Sequence, residues 1–99
     1  MTEHTQANHI ITTLIGRGYT LQLTYDDAEP GEDPAVPWTT DPAAFPKELC
    51  ATGIDLIHAR KGDQRGTLML VWGNASDGSE LLADYGATPK LDTLLGSFC

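Results

Sequence analysis

Apolar residues recur at helical spacing near the start of the chain. Ile10, Ile11, Leu14 and Ile15 gather on one side of segment 5–17, and Gly16 and Gly18 fall where a helix would stop. From Tyr19 the period drops to two. Tyr19, Leu21, Leu23 and Tyr25 point one way and Thr20, Gln22 and Thr24 the other, which predicts a strand with one wet face. Segment 26–37 breaks both periods: Pro30, Pro34 and Pro37 lack backbone donors and five acids add repulsion, so a long acidic surface loop is expected there. Residues 38–40 read as a short strand returning beside 19–25. Asp41 followed by Pro42 is a cap and first-turn pair that opens a helix to about Ala51, with Phe45 and Leu49 inward and Pro46 an awkward interruption.

The second half predicts a meander. Residues 54–60 form a strand, 61–66 a charged turn, and 67–72 a strand apolar on both faces, as in a central strand covered twice. A turn around Asp77-Gly78 leads to a strand over 80–85. Thr88-Pro89 opens a closing helix whose apolar face is Leu91, Leu94, Leu95 and Phe98. The expected fold is α+β, in the order α-β-(β)-α-β-β-β-α, with a four- to five-stranded antiparallel sheet and helices packed on one face. If helices cover one face only, either Met69 and Val71 or Leu68, Leu70 and Trp72 need another cover. Met69 and Val71 are therefore candidate self-association residues.

Ninety-nine residues suffice for one domain, 1–99, around one core. Fourteen acidic residues against six basic ones give a formal charge of −8, which argues against direct nucleic-acid binding and favours a basic partner. Asp26, Asp27, Glu29, Glu32 and Asp33 concentrate that charge and are the candidate partner-binding residues. Arg60, Lys61 and Arg65 form the compensating cluster. A start without a basic and then apolar stretch, and no run near the roughly 18 apolar residues of a membrane span, lead to the expectation of a cytoplasmic protein with no membrane association.

Chemistry-bearing motifs are sparse. His4, His9 and His58 have no zinc-ligand spacing with cysteine or carboxylate, and the calcium loop that Asp77, Glu80 and Asp84 suggest is broken by Gly73 and Ala75 where its first and third ligands would fall, so no metal is expected. No glycine-rich phosphate cradle follows a strand, and no cofactor is expected. Cys50 with His58 is the sole nucleophile and base pairing worth weighing. A helix end near Cys50 would raise its pKa and disfavour attack. Cys50 and Cys99 are read as free thiols, one in the core and one at the terminus.

Three stretches, Trp38-Thr39-Thr40-Asp41, Leu70-Val71-Trp72-Gly73-Asn74 and Leu81-Leu82-Ala83-Asp84-Tyr85, follow Gly18-Tyr19 in order along the chain. This pattern resembles small uncharacterised accessory proteins of proteobacterial tailed phages and prophages. The chain departs from it in the length and acidity of 26–37 and in Pro46. The resemblance implies a setting, a phage or mobile-element product in a bacterial cell, and no residue role. The resulting expectation is a non-enzymatic protein that binds a host protein with a basic surface. An inhibitor of a host defence or nucleic-acid-handling system would fit, presenting carboxylates where a basic groove expects phosphates. The alternative is a homodimeric small-molecule-binding or structural protein that associates through the sheet face around Leu68–Trp72.

Overall fold

The computed structural model describes residues 2–25, 29, 31–50, 53–73 and 80–98. The chain runs α1 (Glu3–Gly16), β1 (Thr20–Tyr25), β2 (Val36–Thr39), two 3-10 turns (Pro42–Ala44 and Pro46–Glu48), β3 (Ile54–Lys61), β4 (Gln64–Val71), β5 (Leu82–Ala87) and α2 (Pro89–Gly96). The five strands form one antiparallel sheet in the order β2-β1-β3-β4-β5. The architecture is α+β, as the periodicities imply.

Thr2 caps α1, its hydroxyl accepting from the Thr5 N–H at 3.1 Å. The helix buries Ala7, Ile10, Ile11 and Leu14. At its other end Lys61 Nζ donates to the Arg17 carbonyl at 2.7 Å, satisfying an orphan acceptor where a cation also suits the helix dipole. Leu21 and Leu23 on β1, Ile57 and Ala59 on β3, and Leu68 and Leu70 on β4 supply the sheet's side of the core. Leu91 and Leu95 of α2 close it. The two-faced apolar strand thereby resolves: Leu68 and Leu70 lie under the helices, while Met69 and Val71 lie half-buried on the other face.

The expected second helix does not form. An α-helix through this segment would need the N–H of residue 46 to bond the Pro42 carbonyl, and Pro46 has none. The chain makes shorter i to i+3 bonds instead, Phe45 N–H to Pro42 and Glu48 N–H to Phe45. Phe45 and Leu49 still turn inward, since burial is independent of the helix type. The turn expected over 61–66 is also shorter. Gly62 at φ +60 and Asp63 make a two-residue hairpin turn, and Lys61 pairs with Gln64 and Arg60 with Arg65 in register.

Cys50 is exposed, not in the core, and takes the left-handed backbone conformation at φ +67. Cys99, Asp26, Asp27 and the Asp77-Gly78 turn lie outside the described residues. No helix among the described residues is long and apolar enough to cross a membrane.

Candidate functional site

With both helices on one face of the sheet, the other face is open. Among the described residues no element packs over it. Register sorts its side chains into transverse rows, because directly paired residues of an antiparallel sheet share a face. Ile54 pairs with Val71, and Leu56 with Met69, making an apolar half at one end. Gln22, His58, Thr67 and Gly86 form the next row, and Thr20, Arg60 and Arg65 the one beyond it.

The polar half is a built surface. His58 is held from both sides: Thr24 Oγ1 is 2.9 Å from its Nε2 and Thr67 Oγ1 is 3.0 Å from its Nδ1. A neutral ring with one donor and one acceptor nitrogen fits two hydroxyls, which serve either role. Burial pushes the His58 pKa below its ordinary value of 6.5. Arg60 stacks on Trp38, its guanidinium carbon 4.0 Å from the ring centroid. Trp38 belongs to β2 and Arg60 to β3, so the pair spans β1 above the small Thr20. Gln22, Trp38, His58, Arg60, Arg65 and Thr67, with Gly86 at the edge, line a concavity of about 400 Å³. A smaller depression along Leu56, Met69 and Asp84 shares Thr67 and Gly86 with it.

The sequence candidates distribute unevenly. Met69 and Val71 stand on this open face. Glu29, Glu32 and Asp33 are exposed, with a turn at Gly31 closed by the Glu32 N–H on the Glu29 carbonyl. Cys50 and His58 are not brought together: His58 is engaged by Thr24 and Thr67 on the open face, while Cys50 sits by Asp55 on the helix side. Although Cys50 is exposed, partial desolvation by its neighbours first, and then the charges of Asp55 and Glu3, push its thiol up, the opposite of an activated nucleophile. Asp55 is fully buried and accepts at Oδ2 from the Cys50 N–H and from Trp72 Nε1, each at 2.8 Å. It therefore anchors the β3 entrance. Tyr25 donates to Glu48 Oε2 at 3.1 Å, and burial together with that carboxylate raises its pKa. No group of three ligating side chains that could hold a metal occurs among the described residues.

The Trp38, Arg60 and Arg65 constellation was missed at the level of sequence, although a signal existed. A two-residue turn at Gly62-Asp63 places Arg60 opposite Arg65 by simple counting. No protein-family model, curated protein or solved structure matches the chain.

Proposed function

We propose that this chain is a non-enzymatic binding protein that engages another protein through the open face of its sheet. The setting is the one its sequence pattern resembles, a phage or mobile-element product acting on a protein of its bacterial host. The observation that carries the reading is the half-face of Leu56, Met69 and Val71, which no element among the described residues covers and which is continuous with Arg60 and Arg65. Leu56, Met69 and Val71 are already mostly buried, so completing their burial yields at most roughly 3 kcal/mol. That falls short of the entropic cost of association, so the apolar contact alone does not hold a partner, and pairing the arginines with partner carboxylates supplies the remainder.

The acidic stretch supports a second contact of opposite sign. Glu29, Glu32 and Asp33 are exposed and free to meet a basic surface, with Asp26 and Asp27 beside them in sequence. An inhibitor that covers a basic groove of a host defence protein belongs to this class. The homodimeric alternative draws on the same Met69 and Val71, which a second copy would cover.

Pull-down from host lysate with wild type, Met69→Asp and the neutralised variant E29Q/E32Q/D33N separates these readings. Open-face binding predicts one retained protein that Met69→Asp releases at any salt. Loss only in the neutralised variant and at moderate salt transfers the contact to the acidic stretch. A wild-type dimer in sedimentation that becomes a monomer in Met69→Asp, with an empty pull-down, establishes self-association instead.

A further inference from the structure

We infer that the concavity between Trp38, Arg60, Arg65 and Gly86 is an oxyanion site, taking a phosphate or carboxylate carried on a planar molecule of about mononucleotide size. This goes beyond the protein-binding reading, which rests on the apolar half of the same face and gives the two arginines only partner carboxylates.

Folding alone gives no account of the arginine pair. Arg60 and Arg65 are direct cross-strand partners, and like charges at such positions destabilise a sheet. The chain has six basic residues for fourteen acids, yet neither guanidinium is given a carboxylate partner among the described residues. The hydrogen bonds of Arg65 run through its backbone to Thr88. Arg60 is already ordered on Trp38, which uses the face of its guanidinium and leaves the N–H edge available. An anion between the two would relieve their repulsion and meet donors whose ordering cost is partly met in advance.

The two glycines of this region point the same way. At Gly66 a Cβ would meet Ala87 Cβ at 2.6 Å and Leu91 Cδ2 at 2.9 Å, so packing requires glycine there. At Gly86 a Cβ would meet nothing within 4 Å, and the backbone is not in the left-handed region. A strand glycine without a local reason weakens the strand and marks a place where something approaches closely. Gly86 lies at the edge of the concavity, next to Thr67 in register, where any side chain would narrow it. Gln22, whose amide has no partner among the described residues, and the fixed His58 and Thr67 pair give an uncharged polar floor suited to the planar part of the ligand.

The test is an NMR titration of the full chain at low salt, following the side-chain N–H resonances of Trp38, Arg60 and Arg65. The probes are inorganic phosphate, adenosine monophosphate, benzoate and adenosine. Saturable shifts with adenosine monophosphate or benzoate, weaker ones with inorganic phosphate and none with adenosine are expected, and the stronger aromatic anion names the group preferred. Arg60→Gln with Arg65→Gln should weaken binding at least about tenfold. Gly86→Val should do the same while leaving the melting curve intact. No saturable shift by about 10 mM, corresponding to a Kd weaker than millimolar, overturns the site, as does adenosine binding equally well or unchanged affinity in the arginine variant. Met69→Asp should release a protein partner and leave this titration unaltered, so the failure of either reading is visible without the other.

Discussion

Replacing Gly66 by alanine probes the close approach of β4, β5 and α2 on the helix side of the sheet. The new Cβ would stand 2.6 Å from Ala87 Cβ, 2.9 Å from Leu91 Cδ2 and 3.1 Å from the Gly86 carbonyl oxygen. Carbon pairs rest at about 3.5–4.0 Å, so the neighbours must give way by close to 1 Å. Neither can do so cheaply. Ala87 is the register partner of Gly66 across the ladder, and Leu91 is fully buried at the start of α2. Overpacking of this kind costs about 1–3 kcal/mol, against a gain of about 0.4–1 kcal/mol from the stiffer unfolded chain. The net loss is roughly 1–2 kcal/mol, and for a domain of this size each kcal/mol moves Tm by about 4–8 °C.

The assay is thermal and urea unfolding of Gly66→Ala beside Gly86→Ala, followed by circular dichroism. Gly66→Ala should melt roughly 5–15 °C below wild type with an unchanged urea slope. Gly86→Ala, whose Cβ enters open space, should be neutral or more stable by about 0.5–1 kcal/mol. Equal stability of the two variants, or a loss confined to Gly86→Ala, refutes the packing of α2 over the β4–β5 pair.

Two further outcomes are expected. Asp55→Ala should cost about 2–4 kcal/mol, because it strips a fully buried acceptor from the Cys50 N–H and Trp72 Nε1. The combination with Trp72→Phe, compared in urea melts, should lose less than the two single losses together. The His58 pKa is depressed by burial, so the unfolded chain binds more protons in that range. His58 thus contributes stability above its ordinary value of 6.5, and this is lost as pH falls through the lower folded value. In urea melts at about pH 7.5 and 5.5, His58→Gln should flatten this part of the decline, and an identical decline in the variant would remove His58 as its cause.

The helix and strand pattern was legible because burial imposes periodicity. Tyr19, Leu21 and Leu23 alternate with Thr20, Gln22 and Thr24 because a single layer of helices covers the sheet. The second helix was misread because a cap and a first-turn proline at Asp41-Pro42 serve a 3-10 turn equally well, and one missing N–H at Pro46 decides the outcome. The candidate site was harder to read. Trp38, Arg60 and Arg65 lie on three strands, and only the order β2-β1-β3-β4 brings the first within reach of the second. Polar residues over 61–66 looked like a loop because both strands there leave one face in water, where side chains carry no hydrophobic signal.

Net charge and local charge lead to different partners for this chain, and distance decides between them. At physiological salt the Debye length is about 8 Å, so charges beyond the edge of a small site are largely screened. A long polyanion spans many such lengths and meets the surrounding acids of a −8 chain, which disfavours an extended nucleic acid. A single phosphate or carboxylate in the concavity would face Arg60 and Arg65, with His58, Thr67 and Gln22 also lining the space. The same reasoning holds for the acidic stretch, whose Glu29, Glu32 and Asp33 present the opposite sign. The sign that governs a contact is therefore that of the few side chains within one screening length. The site proposed on the open face would take a small anion although the molecule as a whole repels anions.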